Sequence, residues 1–368
     1  MHSKINHRFV NWQDGMLLSK EHLTLQDLAI QAAIYDTAAF SINSHNYGVL
    51  PTSDGYSSSL DIQLQADTIE VVSVRGITPN GIRIEWNVSS ELQPLKISVN
   101  SLKSYSDNSG FLYLVLRVKP FQYVEIGEIS ESDSTNRRPF LMIKPEMELV
   151  SYSDILSDSF SFPIFRVHNH NGSLQADNTY IPPSVSVHGK QLTNHYQALG
   201  KMFESIIQSS KHIVRHVNGK TNRHQIAIDM YLITDKILNY GAGFLDAYKL
   251  ISPQEPPIYF INILIGLVRS IQIGIDSLPE KNLQLLQGYI TQLEGQGETN
   301  TYRNSYNLNK TNLQSYFNAV LGMPYDHNNV FRLIDGLNSC LDFWETILMK
   351  LKQRDLTGPD SKGSWTIY

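Results

Sequence analysis

The spacing of apolar residues changes once along this chain, near residue 190, and that change limits what the chain can fold into. Between about Leu60 and His168, apolar residues alternate with polar ones: Leu60, Ile62, Leu64; Ile82, Ile84, Trp86; Leu95, Ile97, Val99; Leu112, Leu114, Leu116, Val118. A two-residue period puts one face of a strand toward a core. Thr78-Pro79-Asn80-Gly81 separates two of these segments and is a hairpin signal. Many short strands with frequent turns predict a β-sandwich.

After Tyr180-Ile181-Pro182-Pro183 the period becomes helical. Leu192, Tyr196, Leu199, Phe203, Ile206, Ser210, Ile213 and Val217 follow one another in steps of four and three, a heptad seam that Gly219 ends. A second seam runs Ile226, Met230, Ile233, Ile237, Tyr240, Phe244, Ala247, Ile251, and Ser252-Pro253 breaks it. Helices are predicted over Pro257–Ile275 and about Leu283–Leu293. A last seam takes Val330, Ile334, Leu337, Leu341, Trp344, Leu348 and Leu351. An earlier helix is predicted over Lys20–Ser41. Residues 296–314, rich in Asn, Gln, Gly and Thr, read as a loop, and Asp355–Tyr368 as a loose tail. The fold class expected is α+β, with strands first and a helical bundle after them. The division is residues 1–185, 186–356 and a tail over 357–368. Three heptad seams also suggest helices that pack across a symmetric oligomer as well as within a subunit.

Charge narrows the function classes. Thirty Lys+Arg against thirty-five Asp+Glu give a net charge of −5, which argues against a generally basic nucleic-acid binder. One cysteine, Cys340, excludes a disulfide scaffold and a cysteine-based metal site. The longest apolar run, Ile258–Val268, is interrupted by Asn262 and Gly266 and is shorter than the ~20 residues of a membrane span. The first twenty residues hold no apolar signal region. A cytoplasmic protein is expected.

No residue pattern points to catalysis. Gly219-Lys220-Thr221 resembles the end of a phosphate loop, but Val214 stands where its first glycine is required, and two helices flank it. Gly241-Ala242-Gly243 lies inside a helical pattern. His212 and His216 share a helix face without a third ligand. His168 and His170 end a strand, and Cys340 reads as a small buried thiol. Glu128 and Glu131 sit in a polar stretch with nothing to desolvate them. No cofactor, metal or small-molecule substrate is expected, and the protein is read as not an enzyme.

The first thirty residues carry something more specific. Trp12, Gly15, Met16, Leu18, His22 and Asp27 resemble the opening of the TssK family, the baseplate component of bacterial type VI secretion systems. That family begins Trp-x-Glu-Gly-Met-x-Leu, then Pro-x-His-Phe-Gln-x-x-Asp. Here Asp14 replaces Glu, Lys20 stands in the Pro place, Leu23 replaces Phe and Thr24 replaces Gln. The similarity recurs in order at Phe162–Val167 with Tyr180–Pro183, at Pro257-Ile258-Tyr259 through Leu264 and Gly266, and at Pro324–His327 leading into Phe331.

The resemblance implies a β-sandwich shoulder like that of phage receptor-binding proteins, a helical neck, and a homotrimer. It implies a structural adaptor at the cytoplasmic face of the inner membrane, bound to the wedge proteins TssF and TssG and linked to the membrane-anchor proteins. The family's C-terminal head is expected to be absent, because few residues follow Leu351; that marks a divergent member of the Bacteroidetes type. Trp12, Asp14, Gly15, Met16, Leu18 and His22 either pack the N-terminus or contact a wedge partner. Leu192, Leu199, Phe203, Ile206, Ile226, Ile233, Ile237, Phe244, Ile334, Leu337, Leu341 and Trp344 form the bundle or trimer seam. The alternative is a baseplate or receptor-binding protein of a related contractile phage tail or injection particle. A carbohydrate-active enzyme would need an acidic pair in a cleft.

Overall fold

The computed structural model describes residues 7–52, 58–65, 68–98, 111–119, 122–128, 138–156, 158–170, 173–219, 221, 224–294 and 313–352. Glu131, Lys220, the tail from Asp355 and most of 296–314 lie outside them. Two compact units make up the chain: Met1–Gly189 with His327–Asn329, and Lys190–Asp326 with Val330–Tyr368.

The first unit opens with helix α1 (Lys20–Ser41). Strands β1 (Gly48–Val49), β2 (Asp61–Leu64), β3 (Thr68–Ile77), β4 (Arg83–Asn87) and β5 (Leu95–Ser98) form one antiparallel sheet. The ten-residue β3 is its spine. Val71 pairs with Ile62 on one side and Leu95 on the other, while Gly76 pairs with Val49 and Ile84. Thus β1 and β2 share one edge of β3, and β4 and β5 the other. The Thr78–Gly81 turn joins β3 to β4, with Gly81 N donating to Thr78 O at 2.9 Å.

A second antiparallel sheet has the order β11-β10-β6-β9, from β6 (Phe111–Arg117), β9 (Glu146–Val150), β10 (Ser161–His170) and β11 (Ser173–Ala176). Strands β7 (Tyr123–Ile126) and β8 (Phe140–Ile143) pair separately. Both large sheets feed one apolar core. Ile69, Val71, Val74, Ile84 and Trp86 come from the first; Leu112, Leu114, Leu116, Phe162 and Ile164 come from the second. Each such side chain contributes roughly 1.5–3 kcal/mol on burial.

The alternation in β6 predicts a half-buried strand, yet Leu112 through Leu116 are all buried. Tyr113 and Val115 face a smaller cluster with Tyr180 and with Ile155 of the short helix α2 (Tyr152–Ile155). Both faces of β6 are therefore covered.

The second unit is helical: α3 (Lys190–Asn218), α4 (Gln225–Leu250), α5 (Ile258–Asp276), α6 (Glu280–Glu294), α7 (Leu313–Leu321) and α8 (Phe331–Lys352). A single 3-10 turn, Ser252–Gln254, separates α4 from α5 where Pro253 stops the helix. Helix α7 is not anticipated by the sequence reading, and it takes in Leu313 and Gln314 from the expected loop. Helix α5 reaches Asp276 and is long and apolar enough, by length and composition, to cross a membrane, unlike the run Ile258–Val268 alone. Its Phe260, Ile261, Leu264, Leu267, Val268 and Ile271 are buried, and it packs against α4, α7 and α8.

Between α3 and α4, the rings of Tyr196 and Tyr248 stack with centroids 4.7 Å apart. Each hydroxyl donates to the other's backbone carbonyl, at 2.7 and 2.6 Å. Desolvation raises both phenol pKa values.

Candidate interaction surface

The N-terminal arm is built from local signals. Ser19 caps α1, its Oγ accepting from His22 N at 3.3 Å. Ahead of it, Gln13–Met16 form a turn closed by Met16 N donating to Gln13 O at 3.2 Å, with Gly15 at φ 81°. That left-handed position is the reason for the glycine. The arm folds back on the first turns of α1. Val10 N donates to Gln26 Oε1 at 3.1 Å, and the Trp12 and His22 rings meet edge to face with centroids 6.2 Å apart.

These contacts tie the arm down without burying it. Trp12, Asp14, Gly15 and Leu18 are exposed; Met16 and His22 are half-buried. Leu17 is 87% exposed and Leu18 67%, and Phe9, Leu23, Ile30, Ile34 and Phe40 add further large apolar side chains. Tyr35 of α1 and its C-cap Ile42 pack against the sheet core, Ala29 is buried, and Gln31 Oε1 accepts from Tyr123 Oη at 3.1 Å. Large exposed apolar patches in general mark interaction sites, which makes this arm and the outer side of α1 the candidate surface.

Eleven of the twelve seam residues are buried inside one chain: Leu192, Leu199, Phe203, Ile206, Ile226, Ile233, Ile237, Ile334, Leu337, Leu341 and Trp344. Phe244 differs. It is 44% exposed and stacks on Tyr240 with centroids 4.5 Å apart. Tyr240 is itself half-buried, its hydroxyl donating to Ile263 O at 2.8 Å, and desolvation pushes its pKa up to about 12. The second seam turns out of register after Ile237, where Gly241 and Tyr248 are buried instead. An α-helix drifts about 20° per heptad against a strict seven-residue repeat. Gly241 accepts the shift because a side chain there would strike Ile207 Cδ1, 2.1 Å from its Cβ position. Ile228, Leu232, Phe244 and Leu250 are left as the exposed large apolar residues of α4, with Ile251 just after it and Tyr259 at the start of α5.

One cluster was not foreseen as such. The guanidinium of Arg166 lies over the rings of Phe111 at 4.7 Å and Tyr180 at 5.1 Å, pairs with Asp177 at 2.6 Å, and donates to Tyr113 Oη and Asn329 Oδ1. Nearby in the chain, Tyr47 Oη donates to Asn328 Oδ1 at 2.8 Å and its carbonyl meets His327 Nε2 at 2.9 Å. Burial holds His327 down at about 4, and hydrogen bonds together with Arg166 lower Asp177. The signal was present: Arg166, Tyr180 and His327 all belong to segments that carried the family resemblance.

Among the described residues no group of His, Cys, Asp and Glu is arranged to hold a metal ion. Gly241 to Gly243 lie inside α4, and the buried Cys340 thiol has its pKa raised by desolvation. Glu128 lies between elements, and His168 sits on β10.

No protein-family model matches the sequence, and no curated protein does either. Solved structures match the fold. A crystal structure of TssK aligns with TM-score 0.55 and 13% identity over 92% of this chain and 72% of that one. The cryo-electron microscopy structure of a TssK-TssF-TssG baseplate subcomplex of the type VI secretion system aligns with TM-score 0.52 and 14% identity, covering 92% and 99%. A structure of the type VI baseplate complex gives TM-score 0.55 and 12% identity, covering 92% and 70%. At such identities the likeness is one of fold, and over most of its length this chain has the fold of TssK.

Proposed function

We propose that this protein is a non-enzymatic structural component of a type VI secretion baseplate. The fold likeness over 92% of the chain to TssK structures, one of them in a TssK-TssF-TssG subcomplex, is the observation that carries the reading. The sheet unit is the shoulder, a sandwich whose two sheets share one core. The exposed arm around Trp12, Leu17 and Leu18, with the outer face of α1, receives the wedge proteins TssF and TssG; aromatic and Met anchors suit such interface cores. The helical unit is the neck and assembles as a homotrimer through apolar residues left on its outside, Leu232 and Phe244 among them. The assembled baseplate works at the cytoplasmic face of the inner membrane, where membrane-anchor proteins hold it.

Co-purification of the tagged full chain from its native cell tests this. Wedge proteins recovered with the wild type and lost from a Leu17→Ser/Leu18→Ser variant are the expected result. Recovery of unrelated partners, or of none, overturns it.

A further inference from the structure

Some apolar residues of α1 face the core and others face away from it. At 3.6 residues per turn, Leu23, Ile30 and Ile34 fall within about 40° of one another around the helix axis, a straight stripe about three turns long. Tyr35, which packs on the sheet core, and the buried Ala29 lie about 120° from Leu23, one on either side. The stripe therefore points away from the core, and Leu23 and Ile34 are each more than half exposed. Exposed Ala33 and Thr37 flank it on one side, small enough to let a neighbouring backbone come close. Asp27, also exposed, flanks it on the other, between Leu23 and Ile30 in sequence.

The backbone of α1 restricts what can cover this stripe. Beyond its first turn the amides are spent inside the helix, so the face offers a partner side chains only. An extended segment laid along it would bury backbone N–H and C=O groups with nothing to bond, whereas a helix brings its own already paired. Anchors at this spacing also match the ridge that one helix presents to another. Asp27 adds a condition of charge. In the free chain water solvates its carboxylate, but a partner covering the stripe desolvates it, a cost that a facing Lys or Arg offsets. The acidic residues of α1 are Glu21, Asp27 and Asp36, and Lys20, at its first position, is its single Lys or Arg.

We infer that the outer stripe of α1 seats one α-helix of a wedge protein, apolar along the face turned to Leu23, Ile30 and Ile34 and carrying a Lys or Arg opposite Asp27. This rests on the reading of the arm and α1 as the wedge-binding side, and adds the form and the charge of what binds there.

The test places the photo-reactive residue p-benzoylphenylalanine in place of Leu23 or of Ile34 in the tagged full chain, in its native cell, and maps the cross-linked wedge residues by mass spectrometry. The two positions are about 16 Å apart along the axis. A helix lying beside α1 covers that span with about eleven residues, an extended segment with about five. Cross-links about eleven residues apart on one wedge helix are expected. A separation near five overturns the inference; so does cross-linking to a second copy of this chain, or no cross-link from a complex that still forms. Each of these leaves the wedge reading standing, whereas recovery of no wedge protein with the wild type overturns both. Asp27→Lys should weaken wedge binding on the order of a hundred-fold, because like charges then meet in the interface. Changing the facing wedge cation to Glu should restore binding to the Asp27→Lys chain, which also excludes misfolding as the cause of the loss. Undiminished binding by Asp27→Lys, or no restoration by the paired reversal, overturns the inference.

Discussion

The two units close their cores from different elements and leave different apolar side chains outside. The helical unit turns its seams inward, so that Phe203, Ile233, Ile334 and Trp344 are buried within one chain. The sheet unit has an equally closed core beneath Ile69, Leu114 and Phe162, yet carries Leu17, Leu18, Ile34 and Phe40 on its outside. The helical unit closes by packing α3 on both α4 and the distant α8 and leaves Leu232, Phe244 and Leu250 outside; the sheet unit takes in His327–Asn329 from far along the chain and leaves Leu17, Leu18 and Phe40 outside. The difference separates stability from assembly: it predicts which substitutions unfold the protein and which only isolate it.

The largest effect should come from a charge in the bundle. Phe203→Asp or Ile233→Asp buries an unpaired carboxylate and should cost on the order of 5 kcal/mol, unfolding the helical unit. Circular dichroism with hydrogen exchange reads it. A variant that stays helical and merely dissociates would show that these seams lie between subunits, and the contrast between the units would break.

Acid should then act on the sheet unit. His188 and His327, both buried there, are held down to about 4, below the ordinary histidine value near 6.5. Between those values the unfolded chain binds more protons than the native one, so stability rises with pH across the window and falls as pH drops from 6.5 toward 4. Each histidine should remove on the order of 2 kcal/mol by pH 5. Hydrogen exchange around Tyr47 and β10 should rise before that of α3. Earlier opening of α3 would reverse the ranking.

Smallest on stability, and largest on assembly, are the outer residues. Trp12→Ala with Leu17→Ser, or Leu232→Ser with Phe244→Ala, should change unfolding midpoints by an amount corresponding to about 0.5 kcal/mol. The first pair should abolish wedge binding and the second should lower the oligomer mass seen by light scattering. A loss of several kcal/mol in either would show those side chains to be core.

What the sequence disclosed follows the range of the interactions. Helix α1 was legible to its end residues because its apolar residues, Leu23, Leu25, Leu28, Ile30 and Ile34 among them, are a local signal. The Thr78–Gly81 hairpin was legible for the same reason. The double burial of β6 was not, since its second face is covered by Tyr180 and the four-residue α2, whose presence no periodicity announces. Phe244 lies outside the buried seam of one chain because the helix drifts against a strict heptad count. Helix α7 is short and follows a polar run that masked its start. The contacts of Arg166 and Tyr47 with Asn329 and Asn328 span 163 and 281 positions, a separation at which no pattern in one sequence shows proximity.

The return of His327–Asn329 to the sheet unit has a consequence for biosynthesis. A ribosome delivers the chain from its N-terminus, and a domain continuous in sequence can close as soon as it emerges. Here the last backbone needed by the sheet unit arrives only after α3 to α7 have been translated. Tyr47 and Arg166 must wait for Asn328 and Asn329 while a whole helical unit is synthesised. The first half of the molecule is thus among the last parts to be finished, and nascent chains stalled before Asn329 should hold a sheet unit that trigger-factor-like holdases still recognise as incomplete.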